Sequence, residues 1–479
     1  MIENHSPWLH QLNRTRPVVT LGEHVSTDVV IVGGGIAGVT TAYFVLKHTN
    51  KKVVLLEADK IAHGATGHNA GQITSYFERP LYDIAEEFGI KMAVDGQQAI
   101  ESAWGLLDEI LLNCSLTTPV YRFIGFAGYS KLEQLLPELK SNLVRVQGGL
   151  AAEEVFVAEE ANIAKDIPAI YKGLFSVVPQ REILSKLETE NIDYVACMAQ
   201  QKGCTNSALF TEELIAYLAA HYTNRFNFFE GSRVSRTVLK KSAGVVEVGE
   251  HRIAARHVVL CTNGFENFHI VNDAGPEIET IFHHTVRGRI GYMAGYVEPS
   301  QNPPVALSFY PKVSNFSFDP TGDPYFYLTR RPFEHNKKEA RLVCIGGPEK
   351  ALPNDAIYSR DNPVLDEIRS QDEEFLQQNY SPYPPAPVEY SFLWHGLMGY
   401  TPNRLRRIGF EPLNPTLMYN LGCNGVGILP SIYGAKRISQ LLSGLTLDPS
   451  IFDPQDQRTL KTMLAGIFRH IKHFFTPVR

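Results

Sequence analysis

The sequence predicts an α/β fold with a doubly wound, mostly parallel sheet. Two observations carry this prediction. Residues 27–57 show a buried strand, a glycine-rich turn, a helix and a second buried strand, and residues 416–444 again show a strand, a glycine loop and a helix. Between them, helical and alternating strand patterns are mixed and the glycine motif does not recur.

The first segment reads TDVVIVGGGIAGVTTAYFVLKHTNKKVVLLE. Its β-branched runs at 29–32 and 53–56 are typical of strands buried on both faces. Gly33, Gly35 and Gly38 follow the first run with GxGxxG spacing. In such a turn the first glycine permits the tight bend, the second lets the backbone approach a pyrophosphate, and the third lets helix and strand pack closely.

The same segment supplies two more features of a dinucleotide site. The helix after the glycines offers free N–H groups and a partial positive charge at its N-terminus, which favour a pyrophosphate. Glu57 ends the second strand 19 positions after Gly38, where a carboxylate accepts hydrogen bonds from ribose hydroxyls. Because strand, glycines, helix, strand and acid fall in register, the sequence predicts a dinucleotide site.

This motif does not choose between NAD and FAD, but two later segments favour a flavin. HGATGHNAGQIT, residues 63–74, is a polar loop that replaces the regular strand–helix alternation of an NAD domain. Near the C-terminus, Gly422, Gly425 and Gly427 open a loop before another helix, with Pro430 in its first turn. A second helix N-terminus would stabilise the negative charge of a reduced flavin.

Six segments together resemble the D-amino-acid-oxidase-like family of FAD-dependent amine oxidoreductases. They are, in chain order, VVIVGGGIAGVTTA, GATGHNAGQI, VVLCTNGF, VRGRIGYMA, WHGLMGYTPNRLRRIG and NLGCNGVGI. The family includes glycine and sarcosine oxidases, dimethylglycine dehydrogenase and γ-glutamylputrescine oxidoreductase. The segment SPWLHQL near the start is most similar to the last of these branches.

The resemblance implies a discontinuous domain organisation. It implies a Rossmann-like FAD-binding domain made of residues 1–80, 200–270 and 396–454, with an interleaved antiparallel-sheet (α+β) substrate domain made of 81–199 and 271–395. The apolar and basic residues of 455–479 predict a C-terminal amphipathic helix. Such a helix either docks on the body of the protein or lies on a membrane surface.

The motifs and the resemblance also imply which residues contact FAD. In the dimethylglycine dehydrogenase branch a histidine in the polar loop bonds covalently to the flavin, and His68 lies in a similar stretch. A covalent bond through His68 is therefore a hypothesis, with a hydrogen bond to the cofactor or to a backbone carbonyl as the alternative. The expected FAD-binding residues are Gly33, Gly35, Ile36, Ala37, Gly38, Glu57, Ala58, Ala65, Thr66, His68, Asn69, Ala70, Gly71, Gln72, Ile73, Val234, Thr262, Asn263, Gly264, Trp394, Gly396, Gly422, Asn424, Gly425, Val426, Gly427 and Ile428.

The resemblance implies oxidation of an amine by hydride transfer to flavin N5, for which the protein binds FAD, orients a neutral amine and excludes water. Tyr325 and Tyr327 lie two apart on a candidate strand and so point to one face. With Trp394, His395 and Tyr400 they could form an aromatic pocket over the flavin, although tyrosines at this spacing also pack sheets. We expect Tyr325, Tyr327 and His395 to be the catalytic residues.

Glycine-oxidase-like relatives carry an arginine for the substrate carboxylate shortly after the Trp-x-Gly segment. This chain has residues 397–400, LMGY, at that place. The departure favours an amine or an N-substituted amino acid over a simple α-amino acid. Arg287 and Arg289 could bind a carboxylate instead, or form ion pairs at the surface.

Bulk properties exclude other classes. The 479-residue chain has a net charge of −6, which gives no reason to expect a nucleic-acid partner. Its six cysteines form no CxxC pair and no metal-ligand set, and no secretory signal or membrane span is recognised, so we expect a cytoplasmic protein, at most peripheral to a membrane. Oxygen or a quinone is the expected electron acceptor. A non-catalytic flavoprotein with an assembly or regulatory role, and an enzyme for a modified tRNA base, remain the alternatives.

Overall fold

The computed structural model describes residues 4–265, 268–278, 286–298, 301–312, 325–335, 337–353, 356–384 and 388–455. The α-helices are α1 Pro7–His10, α2 Ile36–His48, α3 Leu81–Phe88, α4 Ile90–Cys114, α5 Leu132–Gln147, α6 Ile163–Asp166, α7 Gln180–Lys186, α8 Ser207–His221, α9 Asp366–Asn379 and α10 Ile428–Leu442. The strands are β1 Val25–Val32, β2 Val53–Leu56, β3 Gln72–Thr74, β4 Val120–Tyr129, β5 Val155–Ala158, β6 Ser176–Val178, β7 Ala196–Thr205, β8 Phe226–Phe229, β9 Arg236–Leu239, β10 Gly244–Val248, β11 His251–Leu260, β12 His269–Asn272, β13 Arg287–Glu298, β14 Val305–Tyr310, β15 Phe326–His335, β16 Lys338–Ala351, β17 Tyr390–Tyr400, β18 Arg407–Glu411 and β19 Asn414–Leu421.

The first sheet has the strand order β12-β9-β10-β11-β1-β2-β8, and β19 pairs with the second half of β11. β8, β2, β1, β11 and β19 run parallel, with Val30 opposite Val54 on one side and opposite Val258 on the other. β1 ends in four buried residues and all of β2 is buried. Because parallel strands run in one direction, β1, β2, β11 and β19 end at a common edge, where ligands bind in such sheets.

The second sheet is mostly antiparallel, in the order β17-β13-β16-β15-β14-β4-β7-β5-β6, with β3 added to β7. Helix α9 packs on one of its faces, where the ring of Phe375 stacks on that of Phe326 at 4.0 Å between centroids. Alternate residues of β15 point to the opposite face. The two sheets confirm the predicted fold class.

The chain enters each sheet more than once. The first sheet takes its strands from 25–56, 226–272 and 407–421. The strands β3, β7 and β17 belong to the second sheet. Among the described residues, no helix is both long enough and apolar enough to span a bilayer. Almost all of the predicted C-terminal amphipathic helix, 455–479, lies outside the described residues.

Candidate active site

An elongated cavity runs from the common edge of the parallel strands to the second sheet. Its walls include most of the residues that the sequence predicts as FAD contacts. Those lining it are Gly33, Gly35, Ile36, Ala37, Glu57, Ala58, Ala65, Thr66, His68, Asn69, Ala70, Gln72, Val234, Thr262, Asn263, Gly396, Gly425, Val426, Gly427 and Ile428.

The glycine turn after β1 is formed by close backbone approaches. Gly33 has a φ of +112°, and a Cβ there would lie 2.6 Å from the carbonyl oxygen of Cys261. A Cβ on Gly38 would collide with the carbonyl oxygen of Gly33, because helix and strand touch there. At Gly35 a Cβ would lie 2.9 Å from Thr66 Oγ1. The three glycines therefore leave a cradle for a ligand beside the helix, as their spacing predicts.

Two helix N-termini face the cavity. α2 begins after Gly35 and α10 after Gly427, and neither glycine provides a side-chain cap. Arg406 also lines the cavity, with Nε donating to Asn420 Oδ1 at 2.7 Å and Nη2 to the Asn420 carbonyl at 2.9 Å. Its burial lowers the pKa of the guanidinium to about 10. Two helix dipoles and a buried arginine suit an anionic ligand.

The acid at the end of β2 is held by backbone amides. Glu57 Oε2 accepts the N–H of Gly34 at 2.7 Å, and Oε1 accepts the N–H of Asp59 at 2.9 Å. Burial raises the pKa of this carboxyl group, against the two amide bonds that lower it. Glu57, Ala58 and Val234 line the same end of the cavity, which is where a ribose and its base would lie.

The polar loop 63–74 places His68 at the cavity wall. The side chain is 8% exposed, and its Nδ1–H donates to the carbonyl of Gly64 at 3.0 Å. Burial lowers the pKa of His68 to about 4, so the imidazole is neutral at pH 7. With the proton on Nδ1, the lone pair of Nε2 is available. His68 therefore presents a neutral ring nitrogen that could contact a cofactor.

The remaining predicted FAD contacts lie behind the cavity wall. Ile73 packs into the core on the face opposite Gln72, and Trp394 Nε1 donates to the carbonyl of Asn69 at 3.2 Å. Asn424 Oδ1 accepts the backbone N–H of Thr401 at 2.8 Å. These side chains support the loops that line the cavity. The predicted residues outside its lining are Gly38, Gly71, Ile73, Gly264, Trp394, Gly422 and Asn424.

Tyr325 and Tyr327 both line the end of the cavity at the second sheet, on one face as their spacing predicts. Their ring centroids lie 5.3 Å apart, and Tyr310 stacks on Tyr325 at 5.2 Å. Burial raises the pKa of both phenols far above 10, so they are neutral hydroxyl groups at any physiological pH. Met293 and Met398 add apolar surface beside them.

His395 lies elsewhere. Its Nδ1 is 2.9 Å from Tyr358 Oη, and its Nε2 is 2.8 Å from the carbonyl of Asn362. His395 is not among the residues that line the cavity, whereas Tyr325 and Tyr327 are. The contacts of its ring nitrogens with Tyr358 and Asn362 therefore give no support to a catalytic role for His395.

Sequence reasoning missed Glu78, an acidic residue near the tyrosine end of the cavity. Gln72, Thr74, Tyr76 and Glu78 alternate along the chain, and all four line the cavity. Glu78 Oε2 accepts the hydroxyl hydrogen of Tyr400 at 3.1 Å. Extending the period-two pattern of β3 from Gln72 would have placed Glu78 on the same face as Gln72.

The two arginines considered for a substrate carboxylate differ in their surroundings. Arg289 Nη1 lies 3.8 Å from Glu349 Oε2, and its guanidinium lies over the ring of Tyr400 at 5.4 Å. Glu349 lines the cavity, whereas Arg287 is exposed at the start of β13. Of these two arginines, Arg289 thus already has a carboxylate beside it.

The fold and the cavity together are those of an oxidoreductase that binds a dinucleotide at a parallel sheet and continues the cavity to a second, mostly antiparallel sheet. The FAD dependent oxidoreductase (DAO) family matches residues 28–441, and the chain belongs to this family. FAD fits the residues present: the glycine cradle and the N-terminus of α2 would hold its pyrophosphate and Glu57 its ribose, while the N-terminus of α10 and the loop at His68 would hold its flavin end.

Individual relatives match over shorter segments. γ-Glutamylputrescine oxidoreductase of Escherichia coli (strain K12) is 37% identical over 81 residues, 17% of this chain and 19% of the relative. Mitochondrial dimethylglycine dehydrogenase of Homo sapiens is 48% identical over 50 residues, 10% of this chain and 6% of the relative. The chain thus covers at most about a fifth of the length of the curated relatives it matches. The crystal structure of glycine oxidase from Geobacillus kaustophilus has the same fold, with a TM-score of 0.62 and 16% identity over 90% of this chain and 97% of that one.

Proposed function

We propose that this FAD-dependent oxidoreductase oxidises a C–N bond of a primary or secondary amine, or of an N-substituted amino acid. The observation that carries the proposal is the tyrosine-lined end of the cavity. Tyr325, Tyr327 and Met398 line the same cavity as the FAD-binding loops. An aromatic, partly apolar wall suits the alkyl group of an amine, and π-faces attract a cationic nitrogen.

The residues of this chain would act by binding and orientation. When bound, FAD supplies the acceptor for a hydride equivalent. The hydroxyl groups of Tyr325 and Tyr327 keep their protons at physiological pH, so they can donate hydrogen bonds but cannot act as bases in the resting state. Met293 and Met398 restrict water around the reacting carbon.

Product analysis tests this proposal. The holoenzyme is incubated with an artificial electron acceptor and a panel of amines and N-substituted amino acids, and the carbonyl product is measured. Tyr327→Phe should lower turnover about tenfold or more while FAD remains bound, because it removes one oriented hydrogen bond next to the substrate. Tyr121→Phe on β4, which does not line the cavity, is the matched control. A holoenzyme that forms no carbonyl product from any compound favours the non-catalytic flavoprotein.

We extend the proposal to the domain division, the electron acceptor and the C-terminal segment. We propose the two-domain division given by the sequence, and oxygen or a quinone as electron acceptor in the cytoplasm. We also propose that residues 455–479 allow peripheral membrane contact, a segment almost entirely outside the described residues. Deleting 455–479 and measuring liposome binding tests the last point: equal binding before and after the deletion, or no binding at all, contradicts it.

A further inference from the structure

Glu78 is a carboxylate placed inside the substrate end of the cavity. It follows Gln72, Thr74 and Tyr76 along one extended face that lines the cavity. A Cβ on Gly425, in the loop before α10, would collide with the Glu78 carboxylate, so the acid lies directly against a predicted FAD loop. The carboxylate is therefore close to both the cofactor loops and the tyrosine wall.

This carboxylate has few partners of its own. The hydroxyl of Tyr400 donates to it, and no lysine, arginine or histidine nitrogen of the described residues lies within 4.0 Å of it. Arg289 and Arg404 act on it only from a longer distance. A cavity carboxylate without an ion-pair partner has capacity to bind a cationic ligand.

The charged groups around Glu78 balance one another. Glu349 also lines the cavity and lies next to Arg289. Arg289 and Arg404 are the two cations that act on Glu78, and neither forms an ion pair with it. The phenols that face it, Tyr76, Tyr310, Tyr325, Tyr327 and Tyr400, all have raised pKa values and are neutral.

On this basis we propose that Glu78 binds the ammonium group of a cationic amine substrate and accepts its proton. The carboxylate and R₂NH₂⁺ become a carboxylic acid and the neutral amine R₂NH, with no change in oxidation state. The preferred substrates are then amines that carry no carboxylate on the reacting carbon, because the Glu78 carboxylate beside the bound nitrogen would repel a substrate carboxylate there. This inference rests on the proposed amine oxidation and names its substrate class.

An amine that binds as its ammonium ion needs a proton acceptor in the cavity. An ammonium ion has no lone pair and does not give up a hydride, so the amine must lose a proton before it is oxidised. The Glu78 side chain is exposed to the open cavity, yet enclosure by the surrounding protein raises its pKa to about 7, against the Tyr400 hydrogen bond and the charges of Arg404 and Arg289, which lower it. A base with a pKa near the working pH is suited to this transfer. The neutral tyrosine rings around it can hold the cation in place.

The first experiment measures the pH profile of amine-dependent flavin reduction. In the wild-type holoenzyme kcat/KM should rise with pH through an apparent pKa near 7, as Glu78 ionises. Glu78→Gln should lose that rise and fall about 100-fold at pH 8, and Glu78→Asp should recover part of the activity and the rise. Glu109→Gln, on the exposed side of α4 beside Lys47, is the control. If Glu78→Gln keeps the pH-dependent rise and a rate within about twofold of wild type, the inference is wrong.

The second experiment needs no turnover. Tetramethylammonium, a cation that cannot transfer a proton, is titrated against the flavin absorbance at pH 8. It should bind to the wild type and bind about tenfold or more weakly to Glu78→Gln, because the variant lacks the negative charge. Equal affinities overturn the role of Glu78 even if amines are oxidised. Binding that depends on Glu78, together with no oxidation of any amine, would contradict the proposed function while upholding the cationic site.

Discussion

Thr66 Oγ1 accepts a hydrogen bond from the backbone N–H of Ile36 at 3.0 Å. This contact joins the polar loop that carries His68 to the first turn of the dinucleotide helix α2. The Thr66 carbonyl in turn accepts the hydroxyl hydrogen of Ser207 at 2.7 Å, which fixes the loop to α8. Two segments that we expect to bind FAD, the polar loop 63–74 and the glycine turn before α2, are therefore held together by hydrogen bonds.

Thr66→Val should weaken that unit. The substitution keeps the shape but leaves the buried Ile36 N–H without its partner, which costs about 1–3 kcal/mol of unfolding free energy. FAD affinity should fall as well, because both loops line the cavity. Urea unfolding and FAD retention on ultrafiltration measure the two effects. Thr27→Val, which removes a hydrogen bond to the Lys52 carbonyl at the exposed end of β1, should change stability by less than about 0.5 kcal/mol.

Gly38→Ala should abolish FAD binding in the folded protein or destabilise it strongly. A methyl group there would collide with the carbonyl oxygen of Gly33, a backbone atom that cannot move without opening the turn. Gly105→Ala, on α4 away from the cavity lining, is the matched control, since nothing lies within 4 Å of a Cβ at that position. Thermal melts and flavin absorbance of the two purified variants measure the difference. If the Gly38→Ala variant holds FAD as tightly as the Gly105→Ala variant, the cradle is contradicted.

A covalent bond between His68 and the flavin is a hypothesis, with a hydrogen bond as the alternative. The Nδ1–H of His68 donates to Gly64, and burial keeps the ring neutral with a pKa of about 4, so Nε2 carries no proton in a residue that lines the cavity. If the covalent bond forms, acid precipitation of the wild type gives a yellow pellet, and His68→Ala releases its flavin into the supernatant. A colourless wild-type pellet means that His68 contacts FAD without a covalent bond.

Arg406 should raise the reduction potential of the bound FAD. Its buried guanidinium lines the cavity beside the N-terminus of α10 and favours the anionic reduced flavin. Arg406→Met should lower the midpoint potential by about 30 mV or more, where about 30 mV corresponds to about 1.4 kcal/mol for a two-electron couple. Arg406→Lys, which retains the charge, and Arg256→Met, at an exposed site on β11, should stay close to the wild-type value. Equal potentials in all four proteins contradict this role.

Local patterns allowed the dinucleotide end to be predicted from the sequence. The spacing of Gly33, Gly35 and Gly38 between two strands and a helix is a local pattern, so the sequence identifies the turn. The close approaches of Cys261 to Gly33 and of Thr66 to Gly35 come from more distant parts of the chain. The fold class followed from buried strands that alternate with helices. His68 was placed at the cavity by the resemblance and the polarity of its loop, not by any periodicity.

The substrate end depends on long-range pairing, and the sequence predicted it less well. Tyr325 and Tyr327 point together because a strand alternates, whereas His395 does not line the cavity. Alternation puts Glu78 on one face with Gln72, but that face meets the cavity because β3 pairs with β7, which no local signal reveals. The hydrogen bonds of His395 to Tyr358 and Asn362 likewise join distant segments of the chain.

Anaerobic mixing of the FAD-loaded protein with amines tests the central claim most directly. The panel contains primary and secondary amines with and without a carboxylate on the reacting carbon, and dithionite serves as the reference for full reduction. We expect at least one amine to bleach the oxidised flavin band completely. Amines that lack a carboxylate on the reacting carbon should bleach it faster than their carboxylated counterparts. A flavin that dithionite bleaches but that stays oxidised with every amine would contradict the account.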